Sequence, residues 1–130
     1  MLRRPRILVV DHEPLVTGMI TSALAEDYDV VAAIDCVAAL GRIANGERYD
    51  AILCELTMPG MGGIDLHREL GRFAREQRRR MVFLVGGVSS GPDSRDLPVL
   101  DHLDNLRLAK PFSLPQLRSV VQERLYAPLA

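Results

Sequence analysis

Residues 51–63 carry the sequence AILCELTMPGMGG. The run from Ala51 to Cys54 or Glu55 is short and apolar, which is typical of a buried strand, and the Pro/Gly-rich segment behind it is typical of a loop. Glu55 therefore stands at the carboxyl end of a strand, which is the edge where open parallel sheets bind their ligands. The pattern predicts a functional site that contains Glu55.

Strand and helix signals alternate on both sides of this stretch. Short runs rich in β-branched residues predict four more strands, and apolar residues at helical spacing predict helices between them. The predicted additional strands are 6–10, 30–34, 81–85 and 106–109. The predicted helices are 14–26, 35–46, 64–77, a short one near 97–103 in the irregular stretch 89–105, and a last one that Ser113 caps.

This alternation predicts an α/β fold in three layers. Parallel βαβ units connect by right-handed crossovers, and we expect a flavodoxin-like sheet of five parallel strands in the order 2-1-3-4-5. The length of 130 residues suits one domain, which we expect to span 1–130 with its core at about 5–126.

The composition indicates a soluble globular protein. Hydrophobic residues make up 48% of the chain, charged residues make up 25%, and the formal net charge of −1 predicts binding to neither nucleic acid nor a membrane. The basic helix end at 75–80 has no interleaved aromatic residues, so we interpret it as solvated. Cys36 and Cys54 lack CxxC spacing and lie in apolar surroundings, which predicts buried free thiols.

Two expectations concern location and domain content. No apolar run approaches the roughly 18 residues of a membrane span, and the apolar stretch 7–10 is too short for a signal peptide, so we expect a cytoplasmic protein. No output domain follows Ala130, so we expect no DNA binding by the chain itself.

Three charged residues stand at predicted strand ends. Asp11 ends the first strand, Glu55 the third and Lys110 the fifth. In the expected strand order they share one edge, where two carboxylates and an ammonium can hold a hard cation and a phosphoryl group. The alternative is that these charges only cap the sheet.

At these residues the sequence resembles the CheY-like receiver domain of two-component response regulators, over essentially its whole length. The matching segments are ILVVDHEP (7–14), YDAILCE (49–55), MPGMGG (58–63) and LAKPF (108–112). The segment VFLVGG (82–87) is most similar to receivers attached to hybrid sensor kinases.

The resemblance implies a phosphorelay site with four parts. An aspartate at the end of strand three accepts phosphate from a histidine kinase, and two acids after strand one hold Mg²⁺. A Thr or Ser at the end of strand four senses the phosphoryl group, and a Lys before a Pro, usually cis, contacts it.

This chain matches that pattern at Asp11 and Lys110 and departs from it elsewhere. Glu55 replaces the acceptor, His12 the second acid, and Val85 the sensing hydroxyl, while Arg107 stands where the family often has an aromatic switch residue.

The departures predict a weakened metal site at Asp11, His12 and Glu55, and we expect no bound cofactor. Mg²⁺ prefers oxygen ligands, so imidazole is a poor substitute, although His12 could favour a transition metal such as Mn²⁺ or Zn²⁺. The plainer interpretation of His12 is a surface residue at the start of a loop. We expect His67 and His102 to lie on helix surfaces, and Thr57 to satisfy a turn.

Glu55 also alters the expected switching. Glutamate is longer than aspartate by about 1.5 Å, and a misplacement of about 1 Å can cost about a hundredfold in a positioned reaction. Its carboxylate could instead pair with Lys110 and mimic the phosphorylated state. Valine has no hydroxyl to donate, so Val85 favours loss of phosphate-gated switching over a permanently active state.

The leading hypothesis is a pseudo-receiver that is not phosphorylated in the usual way, has no enzyme activity and works as a protein-interaction module. Its partner would be a histidine kinase or another signalling protein, with docking or homodimerisation through helix four, strand five and helix five. The alternative is a phosphoryl acceptor that uses Glu55 or His12. A flavin or nucleotide binder is disfavoured because the turn after strand one, 11–14, is acidic rather than glycine-rich.

Overall fold

The computed structural model describes residues 3–86 and 96–128. Its strands are β1 (Arg6–Val10), β2 (Asp29–Ala33), β3 (Ala51–Glu55), β4 (Met81–Val85) and β5 (Arg107–Ala109). Its helices are α1 (Pro14–Leu24), α2 (Cys36–Ala44), α3 (Gly63–Phe73), α4 (Arg75–Arg79), α5 (Asp96–Leu100) and α6 (Leu114–Tyr126). All neighbouring strands are parallel and their order is β2-β1-β3-β4-β5, which confirms the predicted fold.

The two faces of the sheet carry separate apolar layers. On β1, Leu8 and Val10 belong to the layer that contacts α2 and α3, while Ile7 and Val9 belong to the layer that contacts α1 and α6. Every residue of β3 is buried, which explains its uninterrupted apolar sequence, because a central parallel strand is covered on both faces. Glu55, at the end of this strand, is therefore placed by the best-buried part of the sheet.

The predicted third helix is wrong as a single element. It breaks at Ala74, whose φ of −142° and ψ of 62° end α3 and precede α4. Gln77 on α4 turns inward and bonds the backbone of Tyr49, which fixes the short helix beside the start of β3. Because of this break, the predicted fourth and fifth helices correspond to α5 and α6.

The bounds of other strands and helices differ from the predicted ones by a few residues, and part of one predicted segment falls outside the described residues. β2 begins and ends one residue earlier than predicted, and the short helix predicted near 97–103 runs from Asp96 to Leu100. Ser113 caps α6 as predicted, since its hydroxyl accepts from Gln116 N at 3.2 Å. The part of the irregular stretch at 89–95 lies outside the described residues.

The two cysteines are free and buried, as predicted. Their sulfur atoms lie 3.7 Å apart between α2 and β3. The hydrogen bond with Cys36 and burial together hold the pKa of the Cys54 thiol well above its usual range, so this thiol stays protonated and unreactive. Among the helices described, none is long and apolar enough to cross a membrane.

Candidate functional site

The three predicted strand-end charges meet at the carboxyl edge of the sheet. Lys110 Nζ lies 2.8 Å from Asp11 Oδ2 and 3.2 Å from Glu55 Oε1, so one ammonium bridges both carboxylates. The side chains are almost completely enclosed, with exposed fractions of 0% for Asp11, 7% for Glu55 and 9% for Lys110. The arrangement is a buried ion-pair network, in which each buried charge is compensated by a neighbouring charge of opposite sign.

His12 holds the other oxygen of Glu55. Its Nδ1 lies 2.6 Å from Glu55 Oε2, and about a third of its side chain is exposed. Asp11 is engaged in the same way, because its Oδ1 accepts from Glu13 N at 2.9 Å while its Oδ2 accepts from Lys110. All four oxygens of the two buried carboxylates therefore have a protein partner.

The Lys110 ammonium stays charged in this setting. Burial alone lowers the pKa of Lys110, but the hydrogen bond and charge of Asp11, with the charge of Glu55, outweigh burial and raise it overall. The peptide bond between Lys110 and Pro111 is cis, and Lys110 N donates to Val85 O at 2.8 Å. The lysine is thereby anchored to β4 by its backbone and to the other two strand ends by its side chain.

The loop after β3 is fitted closely against Glu55. A Cβ atom at Gly63 would lie 2.8 Å from the Glu55 carbonyl oxygen, so only glycine allows this approach. Gly63 N donates to Leu56 O, and the φ of +74° at Gly60 completes the turn. The glycines of this loop hold α3 beside the carboxylate at the strand end.

Val85 and Arg107, the two predicted switch positions, lie outside the carboxylate network. The Val85 side chain is half-buried against the layer beneath α2 and α3, and it has no polar atom. Arg107 is exposed, and its guanidinium donates to Asp101 Oδ1 at 3.1 Å and to Leu100 O at 3.2 Å. Arg107 is thus tied to the end of α5 and makes no hydrogen bond to the buried site.

Glu13 is a site residue that the sequence interpretation left out. Its Oε1 lies 3.9 Å from Lys110 Nζ, and ligand atoms of Asp11, His12, Glu13 and Glu55 all fall within 4.8 Å of one another. The signal was present, since Glu13 follows directly behind two predicted site residues at the same strand end. Together these four residues could hold a cation.

The predictions for the remaining polar residues have mixed outcomes. His67 is half-buried rather than on an open helix surface: its Nε2 lies 3.1 Å from Asn105 Oδ1, and burial lowers its pKa. His102 is exposed. Thr57 contacts α5, because its hydroxyl donates to Asp96 Oδ2 at 3.4 Å.

Comparison with known proteins finds a matching family and relatives of this chain. The family model described as response regulator receiver domain matches residues 7–122. Sporulation initiation phosphotransferase F of Bacillus subtilis is 27% identical over 125 residues, which cover 95% of this chain and 94% of that protein. The DNA-binding response regulator MtrA of Mycolicibacterium smegmatis is 41% identical over 129 residues, which cover 94% of this chain but only 51% of that protein.

A solved structure agrees with these relatives. The receiver domain of a sensor histidine kinase from Pseudomonas aeruginosa PAO1, which holds a magnesium ion in its active site cleft, matches with a TM-score of 0.75 and 30% identity. The match covers 95% of this chain and 98% of that domain.

Proposed function

This chain belongs to the response regulator receiver domain family of two-component signalling, and on that premise we propose that it is an atypical receiver without conventional phosphorylation. In this proposal it is a protein-interaction module rather than an enzyme, and it works in the cytoplasm. The observation that carries the proposal is the state of Glu55, whose two carboxylate oxygens are already bonded to Lys110 and His12.

Phosphoryl transfer to Glu55 would need one of these oxygens to be freed and aligned with a donor. An attacking group gains most of its rate from being held in line at near-contact distance. Glu55 Oε2 is bonded to His12 at 2.6 Å, and Oε1 is bonded to Lys110 at 3.2 Å. The lysine that would contact an incoming phosphoryl group is also bonded to Asp11, so the site begins from a closed arrangement.

The same geometry gives partial support to a built-in mimic of the phosphorylated state. The contact between Glu55 and Lys110 stands where a phosphoryl–lysine contact would form. A mimic must also move a second element, and Val85 offers no hydroxyl for Glu55 to attract. Loss of switching therefore remains the better interpretation.

Magnesium fits this edge less well than it fits an all-acidic receiver site. Receiver domains bind Mg²⁺ at an acidic site, and Asp11, Glu13 and Glu55 form an acidic cluster here. However, Mg²⁺ demands oxygen ligands in nearly octahedral geometry, whereas His12 brings a nitrogen into the cluster. We infer weak Mg²⁺ binding and a preference for cations that accept imidazole, such as Mn²⁺ or Zn²⁺.

The proposed contact surface consists of α5, β5 and α6. Val99 on α5 and Leu114 on α6 are exposed by about 41% each, and Arg107 is exposed on the edge strand β5. The proposed partner is a histidine kinase or another signalling protein, and a second copy of the chain could use the same face.

Intact-mass spectrometry after incubation with acetyl phosphate and Mg²⁺ tests the proposal. We expect no phosphoryl adduct on the native chain, and an adduct on the double variant His12→Asp/Glu55→Asp, which restores an acidic metal site and a shorter acceptor. Glu55→Gln and His12→Gln serve as controls. If the native chain is modified stoichiometrically, the proposal is wrong, and the control that loses the adduct identifies Glu55 or His12 as the acceptor.

A further inference from the structure

A buried arginine without an ion pair to any described residue lies at the opposite edge of the sheet. Arg124, in the last turn of α6, is only 6% exposed, and its Nε has no hydrogen-bond partner. A long hydrogen bond of 3.4 Å joins its Nη2 to Ala127 O. Burial and the nearby charge of Arg80 lower the pKa of Arg124, and the charge of Glu123 offsets this only in part. An enclosed, unpaired cation is costly unless an anion compensates it.

Arg124 lines a cavity of about 320 Å³ beyond the amino ends of β4 and β5. Arg78 and Arg79 line the same cavity from α4, and within 3–86 and 96–128 no ion pair involves either of them or Arg124. Asp104 is the single acidic residue among the described residues that line it. The cavity therefore combines three arginines with one carboxylate, in a protein whose net charge is −1.

The wall of this cavity is fixed by one side chain. Asn105 Nδ2 donates to Arg78 O at 2.9 Å and to Met81 O at 3.0 Å, and its Oδ1 pairs with His67 Nε2. Asn105 thereby ties together α3, the end of α4 and the chain entering β5. A cavity whose walls are held in this way can bind a ligand with little ordering cost.

We propose that this cavity, the Arg124 pocket, binds a phosphate-bearing anion. Guanidinium groups suit phosphate because their planar forks donate paired hydrogen bonds to its oxygens. Arg124 lines the cavity without an ion-pair partner among the residues that the structure describes, and Arg78 and Arg79 add two further guanidinium groups to the lining. The volume admits inorganic phosphate, pyrophosphate or a nucleoside monophosphate. The pocket is separate from the edge that holds Glu55, so the proposal does not depend on whether Glu55 is phosphorylated.

The test is an NMR titration of the ¹⁵N-labelled full chain at constant ionic strength with phosphate, pyrophosphate and AMP in turn. We expect saturable amide shifts around Arg79, Asn105 and Arg124. Arg124→Met should weaken binding at least about tenfold, because a charge-assisted hydrogen bond is lost. Arg118→Gln is the matched control, since Arg118 is an exposed arginine on the same helix, and binding should be unchanged. Binding by pyrophosphate but not AMP would indicate a free phosphate, and the reverse a nucleotide.

A second variant keeps the test decisive if Arg124→Met folds poorly. Asp104→Asn removes the single acidic group of the lining and should tighten binding by about threefold. No saturable shift with any of the three anions, equal affinity in Arg124→Met, or a preference for a glutamate-rich peptide over phosphate would each overturn the proposal. The variant His12→Asp/Glu55→Asp should bind as the native chain does, which separates this result from the phosphorylation test.

Discussion

At the residue scale, Lys110 determines whether the buried carboxylates are tolerated. It is the single lysine of the chain and bridges Asp11 and Glu55, all three being nearly inaccessible to water. Removing one partner of a buried pair is much worse than never having had the pair, because the remaining charge is left without compensation. The stability of this edge thus depends on one ammonium group.

We therefore expect Lys110→Met to lower the free energy of unfolding by about 3–5 kcal/mol, measured by urea denaturation at neutral pH. Arg107→Met, which removes an exposed cation three residues before Lys110, should change it by no more than about 1 kcal/mol. Adding Glu55→Gln to Lys110→Met should recover part of the loss, since one buried charge disappears. Equal effects of the two single substitutions would show that the bridge contributes no more than a surface ion pair.

The imidazole of His12 makes a separate prediction about metals. By isothermal titration calorimetry, the native chain should bind Zn²⁺ or Mn²⁺ more tightly than Mg²⁺, because nitrogen ligands favour the former. His12→Asp should shift the preference towards Mg²⁺, which takes oxygen ligands. His102→Gln, a change at an exposed histidine away from the cluster, should leave both affinities unchanged. A native chain that prefers Mg²⁺ would contradict the argument from ligand type.

At the element scale, the break between α3 and α4 shows what hydrophobic periodicity leaves out. The sequence pattern ran through Phe73, although that side chain is about half exposed. After the break, Gln77 bonds the segment before β3: its Oε1 accepts from Tyr49 N at 2.8 Å, and its Nε2 donates to Tyr49 O at 3.0 Å. The sequence does not show whether a glutamine is buried and bonded to the backbone or exposed to solvent, so the role of Gln77 could not be predicted from it.

Gln77→Ala should be unusually costly for a polar substitution. It leaves the N–H and C=O of Tyr49 buried without partners, and we expect a loss of about 2–4 kcal/mol of unfolding free energy. Glu76→Ala, at the adjacent exposed position, removes only a surface ion pair with Arg48 and should cost no more than about 1 kcal/mol. Chemical denaturation of both variants makes the comparison, and similar midpoints would mean that water replaces the glutamine.

At the scale of the whole molecule, the sequence predicted the features that follow from the strand order. Alternating βα units allow few sheet topologies, and the carboxyl ends of parallel strands share one edge. The sequence alone therefore predicted that Asp11, Glu55 and Lys110 lie close together. Contacts between individual side chains were harder to predict from the sequence. The contact of His12 with Glu55 and the unpaired state of Arg124 depend on rotamers and on helices distant in sequence.

The whole molecule also bears on signalling, because a receiver must couple its buried edge to a distant face. Coupling requires an element with two arrangements that both sites bias. Between Glu55 and the face of α5, β5 and α6, the two predicted switch positions hold Val85, whose side chain has no donor, and Arg107, which is bonded to the end of α5. We therefore expect neither side chain to respond to a group that arrives beside Lys110.

Beryllofluoride with Mg²⁺, followed by ¹⁵N NMR, tests this directly. In the native chain we expect any amide shifts to stay near Asp11, Glu55 and Lys110, with α5, β5 and α6 unchanged. In the triple variant His12→Asp/Glu55→Asp/Val85→Thr, the restored acceptor has a hydroxyl to attract, and shifts should extend along β4 towards α5. Far-reaching shifts in the native chain would show that coupling survives without the hydroxyl. Such a result would favour a receiver that still switches over one whose switch is lost or is held permanently engaged by the contact of Glu55 with Lys110.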